Sequence, residues 1–244
     1  MMTTPGNNLL KILSAVLLSL STGALAENME NLEHHPDHFV VGISNLDLGM
    51  KLIEDMTGVR PVYGGNHPHI GTHNALISLG ERSYLEIIAP DPDADPAILD
   101  PQLRAQFMDP LKQMNSLTPY LWAVGSNDLD RTAALLKSEG IELSDPEPGS
   151  RNKPDGSHLQ WRASFIEQPQ LPGLPFFIQW IDPDISPPRD SPKGCQLESF
   201  SLSGPNSQIL EGMAKRLSMD FEVFTAEKPG IHISLDCPSG PVKL

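Results

Sequence analysis

Apolar and polar positions along the chain switch repeatedly between a period of two and a period near 3.6. His38 to Ile43 is an apolar, β-prone run that predicts a strand. Asp47 to Gly58 carries helical spacing, with Leu48, Leu52, Ile53 and Met56 on one face and Gly58 as the stop. Val59 to Tyr63 predicts a short strand, and the Gly- and His-rich stretch 64–71 reads as a loop. Thr72 to Leu79 alternates and ends at Gly80, and Ser83 to Ala89 is strongly β-prone before Pro90-Asp91-Pro92. The predicted order is strand, helix and three strands.

The same order returns. Tyr120 to Gly125 reads as a strand, and Leu129 to Glu139 as a helix with Leu129, Ala133 and Leu136 on one face. Ile141 to Leu143, Leu159 to Ile166 and Phe176 to Ile181 read as strands. Val41-Gly42-Ile43-Ser44-Asn45-Leu46-Asp47 resembles Val124-Gly125-Ser126-Asn127-Asp128-Leu129-Asp130, and Tyr84 to Pro90 resembles Phe177 to Pro183. This is a weak internal duplication. A third, shorter unit has strands at Gln196–Leu202, Phe221–Phe224 and Ile231–Leu235, and a helix over Ser207–Leu217 with Leu210, Met213, Ala214 and Leu217 aligned. The expected segments are a signal at 1–26, a flexible leader at 27–36, a first module at 37–96, a linker helix at 97–117, a second module at 118–185 and a C-terminal unit at 193–244.

The signal rests on Lys11, the apolar run Ile12 to Leu20, and Ala24-Leu25-Ala26 as a cleavage site. That run is short for a membrane span. The expectation is cleavage after Ala26 and a periplasmic or secreted product with no stable membrane anchor. The net charge of −14 disfavours nucleic acid as a partner. Cys195 and Cys237 are the two cysteines, and in an exported chain they form either a structural disulfide or two separate buried thiols.

Glu86 is the most informative single residue. It shares one strand face with Tyr84 and Ile88. On a buried face its carboxyl must be paired, protonated or bound to a cation; on an edge it simply meets solvent. His38, after Asp37, opens the first strand, and a His and a Glu on neighbouring strands can form half of a metal site. Six of the eight histidines lie between His34 and His73. His67, His69 and His73 read either as a loop contributing a ligand or proton-transfer group, or as a solvated turn. His34 and His35 read as uncommitted surface residues. Ser157-His158 lacks a nucleophile elbow, and neither a phosphate-binding glycine motif nor zinc-finger cysteine spacing occurs.

The duplicated order with Asp37-His38 at its start resembles the vicinal oxygen chelate superfamily. Gly71-Thr72-His73-Asn74-Ala75-Leu76, Leu79-Gly80 and Tyr84 to Pro90 resemble its glyoxalase-like domain group, as do Pro175 to Trp180 and Leu235 to Pro241. The resemblance spans 37–244 and implies an α+β fold: paired βαβββ modules, glyoxalase/dihydroxybiphenyl dioxygenase-like, with an extra C-terminal βαββ-like unit. It implies a cavity between the modules and a divalent metal, Zn, Fe, Mn or Ni, on the first and fourth strands of each. By position, His38 and Glu86 are the metal ligands of the first module and Gln179 the weaker, neutral one of the second. Tyr120 and Leu121 stand where the second module should offer a histidine, and they are poor ligands.

His73 is expected to bind or to shuttle protons, and either it or His69 to complete the ligand set. Asn74, Tyr120, Trp122, Arg151 and Arg162 are expected to contact the substrate. For the two arginines a surface role beside abundant acids is the alternative. The implied function is a metal-assisted lyase, isomerase or dioxygenase acting on a small oxygenated molecule. The alternatives are a non-catalytic periplasmic small-molecule binding protein with a degenerate metal site, and a structural or partner-binding protein with His38 and Glu86 facing solvent. Glutathione-adduct chemistry does not suit an exported chain with half its ligand set altered. The implied partner is a small-molecule ligand, with a homodimer left open.

Overall fold

The computed structural model describes residues 31–153, 156, 158–169, 171 and 173–244. The expected signal, and 27–30 of the expected leader, lie outside the described residues. Strand β1 spans His34–Gly42, so His34 to Pro36 are paired strand residues rather than flexible leader. Helix α1 (Leu46–Thr57) starts where the Asn45 side chain accepts from the Leu48 N–H and stops at Gly58, whose φ of +74° suits glycine. Its buried face is Leu46, Gly49, Ile53 and Thr57, offset from the expected one; Leu48 and Met56 face solvent. Strands β2 (Val62–His67), β3 (Thr72–Ser78) and β4 (Tyr84–Pro90) complete the module. Strand β2 therefore runs through the first half of the expected glycine loop, bulged between Tyr63 and Gly65.

The expected linker helix is broken into an α-turn (Pro101–Leu103), a π-turn (Arg104–Met108) and a 3-10 turn (Pro110–Gln113). Pro101 and Pro110 supply no N–H to a continuous helix. The second module comprises β5 (Thr118–Ser126), α2 (Leu129–Lys137), β6 (Glu142–Leu143), β7 (Glu147–Asn152), β8 (His158–Ser164), β9 (Ile166–Gln168) and β10 (Phe176–Trp180). Asp128 caps α2 as Asn45 caps α1. Strand β7 falls between the predicted strands Ile141–Leu143 and Leu159–Ile166, where no element was predicted, and is held as a strand by its ladder to β8.

The principal sheet has eight strands in the order β2-β3-β4-β1-β5-β10-β8-β7. Strand β1 pairs parallel with β4, β5 pairs parallel with β10, and β1 and β5 meet antiparallel at the centre. Each module repeats the other about that central pair, so the weak sequence duplication is a duplication in space. The ends curl round until β2 approaches β7.

The C-terminal unit is a separate four-stranded sheet, β12-β11-β13-β14, formed by β11 (Gln196–Gly204), β12 (Glu222–Thr225), β13 (Gly230–Cys237) and β14 (Gly240–Lys243), with helix α3 (Ser207–Arg216). Its first two strands, β11 and β12, are parallel neighbours, whereas in each module the parallel partner of the first strand is the last. Phe200 and Phe221 pack on Trp122, and Phe200 also on Phe39, which joins this sheet to the principal one through buried aromatic surface. Cys195 and Cys237 form a disulfide. Among the described residues no helix is long and apolar enough to cross a membrane.

Candidate active site

A cavity of about 180 Å³ lies on the concave face of the principal sheet. Strand alternation decides its lining. On β4 the inward residues are Tyr84, Glu86 and Ile88; on β10 they are Phe176, Ile178 and Trp180. His38 and Val40 come from β1, Asn74 from β3 and Arg151 from β7. His38, His67, Asn74 and Glu86 come from the first module, and the second contributes Arg151 and a mainly aromatic wall.

His38 is the centre of that cluster and is 3% exposed. Its Nδ1 donates to Asp37 Oδ1 over 2.7 Å. A carboxylate only accepts, so the proton sits on Nδ1 and Nε2 is turned towards Glu86 Oε2, 3.6 Å away. That separation exceeds a normal hydrogen bond, which leaves both atoms facing the cavity. Tyr84 stacks on the imidazole at 4.5 Å and Phe176 meets it edge-on at 5.2 Å.

Asp37 occupies a β-bulge: pairing with β5 jumps between Pro36 and His38. Its Oδ2 accepts from Trp180 Nε1 at 2.8 Å, a tie from the second module to the first strand. Burial pushes the Asp37 carboxyl up. The hydrogen bonds and charges of His35 and His38 outweigh that and hold it below its ordinary value. Tyr84 is driven well above the usual phenol range by burial and then by the negative charges of Asp37 and Glu86.

Glu86 is 6% exposed, and its Oε1 accepts from Asn74 Nδ2 at 2.7 Å. His67, at the cavity wall, shares a 2.9 Å hydrogen bond between its Nδ1 and Thr72 Oγ1. Desolvation lowers its pKa, partly opposed by the Glu86 charge.

Of the expected site residues, His38, Glu86, Asn74, Tyr120 and Arg151 line this cavity together. Tyr120 donates its hydroxyl to the Gln106 carbonyl. The others lie elsewhere. Gln179 is on the outer face of β10, where Nε2 donates to the Asn127 carbonyl and Oε1 accepts from the Leu129 N–H at the start of α2. The register explains the correction. Val40 pairs with Glu86, and its counterpart Ala123 pairs with Phe176, so Phe176 stands where Glu86 stands. An alignment wrong by an odd number of residues reverses the face.

His73 alternates away from Asn74 and packs edge-on against Tyr63 at 6.2 Å. His69 donates to the Ile98 carbonyl and is exposed. His67, which sequence reasoning placed in a loop, holds the cavity position instead. Trp122 points to the C-terminal sheet and donates Nε1 to the Gly173 carbonyl. Arg162 is an outer-face partner of Asp130 at 2.9 Å, the surface role left open for it. His34 is also committed: Nε2 lies 2.9 Å from Thr132 Oγ1. Trp161 and Trp180 were missed for want of any local signal beyond alternation.

The donor set tests the metal that the resemblance implies. His38 and Glu86 converge, but the second module presents Phe176 and Ile178 at the matching face. Catalytic zinc sites, for example, keep three protein ligands. Among the described residues no three of His, Cys, Asp and Glu gather to hold an ion. The residues present do not fit a resident ligand set drawn from both modules.

The profile of the glyoxalase-like domain matches residues 37–218. A search of curated proteins finds no match. Among solved structures, a hypothetical protein from Staphylococcus aureus is similar at 18% identity and TM-score 0.56, over 87% of this chain and 85% of that one. Methylmalonyl-CoA epimerase from Streptomyces coelicolor, in complex with 2-nitronate-propionyl-CoA, is similar at 18% identity and TM-score 0.43, over 62% of this chain and 100% of that one. The epimerase from Mycobacterium tuberculosis gives 22% identity and TM-score 0.40, over 59% and 85%. At 18% identity the likeness to the Staphylococcus aureus protein concerns the fold alone. With the domain profile spanning most of the chain and the paired modules in place, the chain belongs to the glyoxalase-like domain family, within the vicinal oxygen chelate superfamily.

Proposed function

We propose that the cavity binds a small oxygenated molecule and that His38 and Glu86 move a proton at its oxygenated end, as an isomerase or lyase does. The observation that carries this reading is the convergence of His38 Nε2 and Glu86 Oε2, 3.6 Å apart, on one mostly apolar cavity. One group takes a proton from carbon while the electron pair moves onto the neighbouring carbonyl oxygen; the other returns a proton. Asp37 fixes the imidazole, and the aromatic wall excludes water. A role in the periplasm or outside the cell is part of the proposal. It is supported by the pattern of residues 1–26 and by the Cys195–Cys237 disulfide.

A second reading, a binder without turnover, is favoured by the apolar lining that the second module supplies through Phe176 and Ile178. Deuterium uptake from D2O at carbon separates the two, followed by NMR over a panel of small oxo- and hydroxy-acids. Uptake lost in Glu86→Gln and His38→Ala supports proton transfer. Saturable quenching of Trp161 and Trp180 fluorescence without any uptake supports the binder. Uptake that requires added Zn, Fe, Mn or Ni would restore metal assistance and overturn the proposed route.

A further inference from the structure

Two buried polar atoms in this cavity have no hydrogen-bond partner among the described residues: Asn74 Oδ1 and Arg151 Nη1. Leaving such atoms unanswered is costly, and native proteins rarely do so without cause. The orientation of the Asn74 amide is settled by chemistry. The Glu86 carboxyl oxygen accepts from Nδ2 at 2.7 Å, which leaves Oδ1 as an acceptor. Asn74 is 3% exposed, so nothing from bulk solvent reaches it freely. Arg151 Nη1 can only donate.

The two atoms are neighbours. A Cβ added at Gly64 would collide with both of them. Gly64 is the extra residue of the β2 bulge, beside Gly65, which pairs with Asn74 on β3, and β2 lies close to β7, which carries Arg151. The bulge and its missing side chain thus leave room for a buried, unpaired acceptor and cationic donor side by side where the two ends of the sheet meet. Aromatic rings fill the other side: Phe165 stacks on Phe176 at 5.5 Å, and Trp161 meets Trp180 at 5.8 Å.

We infer that the ligand carries a carboxylate next to a hydroxyl or amine, on an apolar and preferably aromatic body. The carboxylate accepts from Arg151 Nη1, the adjacent O–H or N–H donates to Asn74 Oδ1, and the body lies against Phe176 and Trp161. Through Asn74 the same ligand group is coupled to Glu86. The inference rests on the proposed ligand cavity and narrows its substrate class to 2-hydroxy- or 2-amino-carboxylates.

The test uses three probes and the tryptophan fluorescence of the intact chain: phenyllactate, 3-phenylpropanoate, which lacks the hydroxyl, and methyl phenyllactate, which lacks the charge. Each omission is expected to weaken binding about tenfold to a hundredfold, the range of one hydrogen bond to a buried partner. Arg151→Met should abolish the preference for the acid over the ester, and Arg151→Lys should keep part of it. Asn74→Leu should abolish the preference for phenyllactate over 3-phenylpropanoate, with thermal melting confirming that each variant is folded. Equal binding of all three probes, or preferences that survive these variants, overturns the substrate class and leaves the cavity reading intact. No saturable binding by any probe overturns both.

Discussion

Asp37 grips His38 through a 2.7 Å hydrogen bond to Nδ1, and both side chains are almost wholly buried. The same carboxylate receives the Trp180 indole N–H, so one acid aligns the imidazole and ties the modules together. Asp37→Ala strands one buried donor, on His38, and one half-buried donor, on Trp180. Stability is expected to fall by about 3 kcal/mol, read from the urea midpoint. Asp37→Asn, which keeps the shape, should lose less stability but lower any His38-dependent turnover by a larger factor. An unchanged deuterium-uptake rate in Asp37→Asn would contradict the positioning role.

His34 ties the start of β1 to α2, and desolvation lowers its pKa from 6.5 to about 4. The unfolded chain therefore takes up this proton at a higher pH than the folded one. Stability is expected to fall as pH drops from 6.5 to 4, with no further loss from this group below that. Asp37, also held low in the folded state, acts in the same direction at lower pH: its contribution is fully present above 3.8 and is lost as pH falls through its lowered folded value. Thermal melts at pH 7 and 4.5 should differ less in His34→Gln than in the native chain. Equal slopes would rule His34 out as the source.

The disulfide closes a span of 42 residues around α3 and β12. In the chain-entropy view its removal costs about 4 kcal/mol. Cys195→Ala with Cys237→Ala should lower the melting temperature by that measure while leaving probe binding in the cavity unchanged, because neither cysteine lines it. Loss of binding in the folded variant would mean that the C-terminal sheet shapes the site.

Gly149 supports the cavity by omission. A Cβ there would strike the Trp161 indole, which forms part of the lining. Gly149→Ala should push that ring out of place and weaken ligand binding about tenfold or more, with a smaller effect on stability. Titration of the probes against the variant reads this directly.

The paired modules were legible because their signals are strong and local: Asn45 and Asp128 cap helices that follow apolar runs, and Tyr84 to Ala89 is dense in β-formers. Strand β7 was not legible. Glu147-Pro148-Gly149-Ser150-Arg151-Asn152 has turn composition and becomes a strand through β8 alone. His38 and Glu86 were found because a charged or titratable group inside an apolar run stands out. Gln179 was misplaced for a related reason. Phe176 to Ile181 is apolar on both faces, so periodicity could not choose the register that aligns it with β4. Exchanging His73 for His67 follows from reading a bulged strand as a loop, since the bulge is set by Gly64 and Gly65 against β3.

The tandem halves share a trace but differ in what they present. A duplicated scaffold with equal linings would offer two interchangeable seats. Here a guest turned end for end would press its oxygens on Phe176 and Ile178, whose side chains offer them nothing, and would leave Glu86 and Arg151 against hydrocarbon. The difference between the copies makes the chamber directional, so a guest with one oxygenated end and one apolar end is expected to seat in a single orientation.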